Sequence, residues 1–340
     1  MADLLAPFQK EMLPAVDEAM RAIVERARQE GDPGLYAMLA YHLGWEGLGA
    51  GPKAQGKRIR PLLLLLTTEA AGGYWHRAVP AAAAVELLHN FSLIHDDIED
   101  HGERRRGRPT LWSQWGLPLA LNAGDALYAL ANIAMLELYP PVAPQTTLVA
   151  TRVLLQTALH LTQGQHLDMV YETRAAVSVA DYWRMVEGKT AALLAACTEL
   201  GALLAEAPET KRRAYHEFGR MLGLAFQAWD DYLGIWGDAA LTGKSTSGDL
   251  LERKKTLPVV YGLSKKAAFA RLWAEGFPKT PADVPMLAKA LEADGARTYT
   301  QAVAASLTTQ ALEALREANP QGAAGQALES LAHHLLQREV

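Results

Sequence analysis

A long apolar segment that ends in a cluster of acids constrains the fold of this chain more than any other feature. Residues 79–94 carry apolar side chains on all sides of a helix, which is typical of a helix buried inside a larger protein. The segment then reaches Asp96, Asp97, Glu99 and Asp100, four acids in five positions. On a helix, Asp96 and Asp100 lie one turn apart on one face, with Asp97 about 100° round the axis. Such a helix end needs cations nearby, because the carboxylates repel one another and face the unfavourable end of the helix dipole.

The acids predict a metal site. Carboxylate oxygens suit a hard ion that keeps several of its waters, so we expect magnesium shared with a phosphorylated substrate. For an isolated acidic cluster, a solvated helix end would be the better interpretation. The apolar helix before the acids and the run Arg104-Arg105-Arg106 after them favour a site.

Composition limits the classes of partner and location. The 340 residues are 50% hydrophobic and 21% charged, which is ordinary for a globular protein. The net charge of −5 and the lack of a long basic block predict no nucleic-acid partner. Cys197 is the only cysteine, so no disulfide framework can form within the chain, and a reducing, cytoplasmic location is expected. We expect no signal peptide, and the longest aliphatic runs, such as Leu62–Leu66, are too short to span a membrane.

Apolar spacing predicts helices almost everywhere, and no segment shows sustained strand-like alternation. No fixed-period repeat or low-complexity linker is found, so we predict one all-α domain over residues 1–340. Apart from the helix at 79–94 and a helix that carries Leu62–Leu66, the predicted helices are 13–29, 35–43, 118–138, 145–171, 179–203, 211–233, 258–264, 266–275, 281–293, 296–318 and 325–338.

The helix predicted over 211–233 repeats the pattern of the first acidic helix. It carries an apolar stripe and ends in the adjacent acids Asp230 and Asp231. Gln227 falls one turn before Asp231, where it can hydrogen-bond to whatever the acids hold. Lys244 and further basic residues follow. Two acidic helix ends with scattered basic residues predict a site in which metal ions bridge carboxylates to phosphate oxygens.

These motifs closely resemble those of the trans-isoprenyl diphosphate synthases, also called polyprenyl synthetases. In the order of that family the chain carries GKRIRP, ELLHNFSLIHDDIED, RRGRP, GQHLD, GKT and FQAWDD. The resemblance is strong over about residues 45–262 and weak at the ends. It implies an isoprenoid synthase-like bundle of antiparallel helices around a deep central cavity, with the two aspartate-rich motifs across its mouth, and a homodimer.

The resemblance also implies roles for single residues. Asp96 and Asp100 resemble direct magnesium ligands, and Asp97 resembles a nearby, partly water-mediated one. Asp230 resembles the direct ligand of the second motif, with Asp231 acting through water.

Two sets of basic and polar residues resemble substrate contacts. The set for isopentenyl diphosphate is Lys57, Arg60, His89 and Arg106. The set for the allylic diphosphate is Arg105, Lys189, Thr190, Gln227, Lys244 and Lys254. Gln165 and Asp168 resemble residues that support metal-bound waters, although a plain polar helix face remains the alternative.

One departure concerns the second motif. The family pattern is DDxxD, and here Gly234 stands where the last acid belongs. Asp238 would lie about 12 Å from Asp230 if the helix continued. It can contribute only if the chain turns after Gly234 or Gly237, which glycine permits.

The implied reaction is magnesium-dependent, head-to-tail prenyl transfer from an allylic diphosphate to isopentenyl diphosphate. Phe91 lies five residues before Asp96, about 7.5 Å down the helix axis, and its neighbour Ser92 is small. This combination resembles geranylgeranyl diphosphate synthases and predicts a mainly C20 product. In the alternative, Phe91 is ordinary core and a neighbouring helix, such as 119–126, limits the chain length.

Two other functions remain open. A class I terpene cyclase also ionises diphosphates, but Asp230-Asp231 and the basic segment Gly56–Pro61 argue against it, since only a second diphosphate needs that segment. A non-catalytic partner subunit of another synthase is the second alternative, because such subunits usually lose an acidic motif.

Overall fold

The structure is a computed structural model that describes residues 4–237 and 248–336. The described chain is mostly helical and has almost no strands, so the predicted all-α fold class is confirmed. The longer helices of the first half are α1 (Ala6–Glu30), α2 (Pro33–His42), α4 (Ile59–Ala70), α5 (Val79–Glu99), α7 (Leu117–Leu136) and α8 (Pro144–Thr173), with the short α3 (Pro52–Gln55) and α6 (Leu111–Trp115) between them. The second half has α9 (Val179–Val186), α10 (Ala192–Leu204), α11 (Glu209–Trp236), α12 (Gly248–Leu251), α13 (Leu257–Ser264), α14 (Ala268–Ala274), α15 (Val284–Ala293), α16 (Ala296–Ala318) and α17 (Gly322–Leu336).

The chain forms two compact units. The described parts of residues 4–158, 196–213 and 319–328 make unit 1, and those of 159–195, 214–318 and 329–336 make unit 2. Several helices contribute residues to both units, among them α8 and α11. The expectation of a single domain stays a prediction.

Helix α5 lies at the centre of unit 1, against α1, α4 and α7. Its residues 81–88 are all buried, including the lone acid Glu86. The neighbouring helix α4 buries the whole run Leu62–Leu66. Neighbouring helices therefore cover the apolar surface of α5 from several directions, as the sequence predicts.

A small β-hairpin follows α5, which the helical spacing did not predict. Strand β1 (Arg104–Arg105) pairs antiparallel with β2 (Arg108–Pro109). Arg106 and Gly107 form the turn with φ of 52° and 79°, and two successive positive φ values are typical of tight hairpin turns. Arg108 donates to the backbone carbonyls of Tyr41, Glu46 and Leu48 at 2.7–3.0 Å, which ties the hairpin to the end of α2 and the loop after it.

Two apolar clusters build unit 2. In the first, Tyr182, Val186, Leu224 and Leu257 are buried together, and α13 packs against α9 and α16. The second cluster joins buried side chains from the end of α11 to the start of α16, with Phe269 inaccessible to solvent.

Helix α1 begins earlier than its sequence predicts. Its predicted start was residue 13. The structure instead begins the helix at Ala6 and carries Pro14 inside it. The apolar side chains of Met12 and Val16 are fully buried, and their burial offsets the hydrogen bond that proline cannot donate.

In the described part of the chain, α7 is the helix long and apolar enough to cross a bilayer, judged by length and composition alone. Core helices of soluble proteins meet the same criterion. Less than half of its apolar 18-residue stretch is buried, and exposed apolar side chains on this helix include Leu117, Leu121, Ile133 and Leu136. The expectation of no integral membrane segment stays a prediction.

Candidate active site

The first acidic motif lies at the C-terminal end of α5, where hairpin residue Arg105 meets it. The Arg105 guanidinium donates to Asp96 Oδ2 at 3.0 Å and to Asp97 Oδ1 at 2.7 Å. Burial raises the pKa of Asp97 to about 6, with Asp96 and Asp100 adding to a shift that Arg105 opposes. Asp100 is exposed and forms the C-cap of the helix. The Arg105 guanidinium is therefore one of the cations that these acids were predicted to need, and the chain itself supplies it.

The residues predicted to bind isopentenyl diphosphate lie mostly in one basic cluster of unit 1. Arg60 Nη1 lies 3.2 Å from His89 Nε2, and Glu86 is the buried counter-charge of Arg58, Arg60 and Arg106. Burial raises the pKa of Glu86, while these arginines oppose the shift. Burial, assisted by the arginines, holds the pKa of His89 well below its usual range, so the ring is neutral at pH 7.

Gly56 makes room for Arg106 in this cluster. Gly56 has a φ of 78°, and a Cβ atom there would lie 2.6 Å from the Arg106 guanidinium. Arg106 also donates to the Ala54 carbonyl at 2.8 Å. Lys57 follows Gly56 directly and is exposed.

An anchor that sequence reasoning missed holds the basic segment in place. Arg58 has a φ of 45° and buries its guanidinium, which pairs with Asp17 of α1 at 2.9 Å. Asp17 also accepts from Trp45 Nε1 at 2.9 Å and from Arg21 Nε at 2.7 Å. Arg58 stood in the GKRIRP motif, but no motif pointed to Asp17.

Phe91, the predicted determinant of product length, is half-buried on α5. Its ring contacts the rings of His95, at 4.7 Å between centroids, and Tyr128 of α7, at 5.3 Å. Gly124 of α7 provides the space for His95, because a Cβ atom there would overlap the imidazole. The small Ser92 donates its hydroxyl to the His89 carbonyl at 2.8 Å. Phe91 and Tyr128 thus form one aromatic pair between the two helices.

The second acidic motif, in unit 2, splits into two unlike carboxylates. Asp231 is buried and accepts hydrogen bonds from Tyr182 Oη at 2.7 Å, the Leu257 amide at 2.7 Å and Gln227 Nε2 at 2.8 Å. Burial raises its pKa to about 7, although these hydrogen bonds lower it. Asp230 is only half-buried. Asp231 is thus the common acceptor of a hydrogen-bond network formed with Tyr182, Gln227 and the Leu257 amide. The sequence did not reveal that the Tyr182 hydroxyl takes part in it.

Thr190 and Gln227, both predicted to contact the allylic diphosphate, belong to this network. The Thr190 hydroxyl donates to Gln227 Oε1 at 2.9 Å. Thr190 lies in a π-helical turn, Glu187–Ala191, between α9 and α10. Single π-turns of this kind are frequent at functional sites.

Close glycine contacts position Lys189, which lies in the same turn. A Cβ atom at Gly164 of α8 would overlap the Lys189 backbone, and one at Gly188 would lie 2.6 Å from the His160 carbonyl oxygen. The close approach brings the Lys189 ammonium onto the Asp168 carboxylate. Asp168 and Lys189, assigned to separate roles by the resemblance, form an ion pair here. Gln165 is half-buried one turn before Asp168.

The remaining predicted residues lie near the end of α12 or outside the described residues. Lys254 Nζ lies 3.2 Å from Glu252 Oε2. Lys244 and Asp238 fall in residues 238–247 and are outside the described residues.

The donor chemistry of the two motifs fits magnesium. Among residues 4–237 and 248–336, no three histidine, cysteine, aspartate or glutamate side chains form a ready-made metal cage. Magnesium usually takes only one or two carboxylates from the protein and completes its shell with waters and substrate phosphates. The exposed Asp100 and the half-buried Asp96 and Asp230 supply such oxygens.

Comparison with known proteins decides the family. The family model described as polyprenyl synthetase matches residues 50–293. The chain belongs to the polyprenyl synthetase family. It is a prenyltransferase with trans-prenyl diphosphate synthase function, as predicted from its motifs.

Named relatives and a solved structure agree with this membership. A (2E,6E)-farnesyl diphosphate synthase of Mycobacterium tuberculosis is 39% identical, covering 97% of this chain and 94% of the relative. A geranylgeranyl diphosphate synthase of the same organism is 42% identical, covering 74% of each. The crystal structure of a geranylgeranyl pyrophosphate synthetase from Pyrococcus horikoshii superimposes with a TM-score of 0.89 at 33% identity, covering 99% and 98%. The two mycobacterial relatives carry names for different product lengths, so membership in the polyprenyl synthetase family leaves the C20 prediction open.

Proposed function

We propose that this polyprenyl synthetase condenses isopentenyl diphosphate with an allylic diphosphate in a magnesium-dependent, head-to-tail reaction. The supporting observation is the cluster of the half-buried Arg60 and His89 with the more exposed Arg106, which is built from guanidinium groups and a neutral imidazole. Its arginines suit direct, bidentate binding of a diphosphate. The acidic motifs then bind the second, allylic diphosphate.

Each group of residues has a separate task in the proposed mechanism. Asp96, Asp100 and Asp230 would hold magnesium directly, with Asp97 and Asp231 acting through waters. When bound, magnesium neutralises the allylic diphosphate and makes it a good leaving group. Arg105, Lys189 and Lys254 grip its remaining oxygens, as Lys244 is also proposed to do.

Polar oxygens and an anchored acceptor complete the reaction. The oxygens of Thr190 and Gln227 present negative dipole ends that can stabilise the allylic cation left by departure of the diphosphate. Lys57, Arg60, His89 and Arg106 hold isopentenyl diphosphate while its double bond attacks that cation. The departed diphosphate takes the final proton, and apolar walls exclude the water that would quench the cation.

The main product is proposed to be the C20 diphosphate. The aromatic pair of Phe91 and Tyr128 stands below the first acids, and the small Ser92 beside it leaves space for a chain longer than C15. Product analysis with C5, C10 and C15 primers tests this. Phe91→Ala is expected to lengthen the product and Ser92→Phe to shorten it to C15, whereas the exposed Met286→Ala of α15 serves as control and should leave the product unchanged. An unchanged product from Phe91→Ala would mean that Phe91 does not set the length.

The magnesium requirement is tested with purified protein and labelled isopentenyl diphosphate. Chelation by EDTA is expected to abolish condensation, and added magnesium to restore it. Cyclised product without condensation, or no turnover with any primer, would contradict the proposal.

We also propose a homodimer. The exposed leucine and isoleucine side chains of α7 form an apolar surface of the kind that oligomers cover. Light scattering after size-exclusion chromatography is expected to give twice the 36.9 kDa mass of one chain. A monomer at micromolar concentration would refute this part of the proposal.

A further inference from the structure

The π-helical turn that carries Lys189 and Thr190 is held by one face of α11. Arg220, Gly223 and Gln227 are spaced three and four residues apart on that helix, so they lie on one face. Together they span about 10 Å of its axis. Because π-helical backbone is rare and occurs mostly as single turns, contacts from outside the turn must favour it here. This face of α11 supplies three such contacts.

Two of the contacts lie in the last part of the turn. A Cβ atom built on Gly223 would lie 2.6 Å from the Ala191 Cα atom, so a larger residue would push the two segments apart. The Gln227 amide oxygen accepts the Thr190 hydroxyl at 2.9 Å. Both contacts fix the end of the turn and leave its first residue, Glu187, to another partner.

Arg220 makes the third contact, at the start of the turn. Its Nη1 atom donates to the two carboxylate oxygens of Glu187 at 3.1 and 3.2 Å. The other edge of the guanidinium, formed by Nε and Nη2, donates to Glu217 at 2.8 and 2.9 Å. Glu217 lies one turn before Arg220, so this second pair holds the arginine against its own helix. The planar guanidinium thus joins α11 to the first residue of the π-turn.

Loss of this contact would change where the turn points its side chains. Without the Arg220 guanidinium, Glu187 and Glu217 would be two like charges near one another, and their repulsion would move the start of the turn away from α11. The turn has no slack towards α8, because a Cβ atom at Gly164 would already overlap the Lys189 backbone. A shift at Glu187 is therefore expected to tilt the turn and to redirect the Lys189 ammonium.

We propose that Arg220 is a positioning residue for the allylic diphosphate, because its pair with Glu187 sets the direction in which the π-turn presents Lys189 and Thr190. This inference rests on the proposed condensation, in which both residues serve the allylic substrate. The residues proposed to hold isopentenyl diphosphate all lie in unit 1, whereas Arg220 and the π-turn belong to unit 2. Removal of Arg220 should therefore weaken the binding of one substrate and not of the other.

Binding of a C10 allylic diphosphate with magnesium, in the absence of isopentenyl diphosphate, tests the proposal without turnover. The variants are Arg220→Ala, Glu187→Ala and the double variant that carries both. Glu217→Ala is the matched control, because it breaks the pair within α11 and leaves the contact between Arg220 and the π-turn. The Michaelis constants for both substrates and the melting temperature are measured beside the dissociation constant.

Arg220→Ala is expected to raise the dissociation constant of the allylic diphosphate about tenfold, the lower end of what one charge-assisted hydrogen bond contributes to affinity. The double variant is expected to bind no more weakly than Arg220→Ala, because both changes remove the same pair. The Michaelis constant for isopentenyl diphosphate is expected to stay within about twofold of wild type in every variant. Glu217→Ala is expected to bind the allylic diphosphate as wild type does, even if it melts at a lower temperature.

Three results would overturn the positioning role while leaving the proposed function intact. One is a folded Arg220→Ala protein with the wild-type dissociation constant. Another is an equal loss of affinity in Glu217→Ala, which would assign the effect to the charges of α11 and not to the turn. The third is an equal rise in the Michaelis constants for both substrates. A wild-type protein that neither binds the allylic diphosphate with magnesium nor condenses the substrates would instead refute the proposed function, and the role of Arg220 with it.

Discussion

The surroundings of His42 predict that the folded protein loses stability as the pH is lowered. This residue ends α2, and its Nε2 atom is buried without a hydrogen-bond partner among the described residues. Burial, together with Arg106, Arg105 and Arg108, lowers the pKa of His42 to about 3. The Asn90 backbone partly opposes the shift through a hydrogen bond. In the folded protein His42 is therefore neutral at any pH well above 3.

The sign of the pH effect follows from the two pKa values. The ordinary histidine value is 6.5, so between about pH 3 and 6.5 the unfolded chain binds more protons at His42 than the folded chain does. Stability must then fall as the pH is lowered through 6.5. Integrating the difference from pH 7 to pH 5 gives a loss of about 2 kcal/mol from this one group.

The His42→Asn variant removes the titrating ring and keeps a polar group near the Asn90 carbonyl. Urea denaturation at pH 7 and pH 5 measures the free energy of unfolding of wild type and variant. The variant is expected to be less stable at pH 7 because of lost packing, but to lose about 2 kcal/mol less than wild type between the two pH values. The exposed His160→Asn serves as control and should lose as much as wild type. Equal acid losses in wild type and His42→Asn would refute the reasoning.

Three further predictions concern stability and use denaturant unfolding at pH 7. Tyr182→Phe is expected to cost about 1–2 kcal/mol, because the buried Asp231 loses a donor. Tyr215→Phe, whose buried hydroxyl has no partner among the described residues, should cost almost nothing, and equal costs would contradict this account. Gly164→Ala is expected to cost about 1–3 kcal/mol, since its methyl group overlaps the Lys189 backbone; a neutral effect would show that the close contact is wrong. Asp17→Asn is expected to cost about 3 kcal/mol by removing the carboxylate that pairs directly with the buried Arg58 guanidinium, and a loss no larger than that of its exposed neighbour Glu18→Gln would refute the anchor.

The sequence predicted those parts of the fold that depend on apolar periodicity. Residues 79–94 are apolar on all sides, and α5 is buried against three helices. The start of α1 was predicted wrongly: the helix begins at Ala6 and runs through Pro14, with Met12 and Val16 on either side of the proline fully buried. The hairpin Arg104–Pro109 also escaped prediction, since strands of two residues are too short to show alternation.

The candidate site was predictable in its residues and not in their partners. Asp230 and Asp231 are adjacent and chemically identical in the sequence. On the helix they lie about 100° apart, which turns one inward to Tyr182 and leaves the other half-exposed. The ion pair of Asp17 with Arg58 joins distant parts of the chain, and spacing along one sequence contains no information about it.

The wider turn at Glu187–Ala191 has a consequence for how this protein can vary. A π-turn accommodates one residue more than an α-helical path of the same length, and each residue turns a helix by about 100°. Deleting one residue there would restore a regular helix, keep the flanking helices in phase and change the directions of the side chains inside the turn. A length change of one amino acid could thus reorient Lys189 and Thr190 with no substitution at either position, which makes this turn a point where small indels would reset the chemistry.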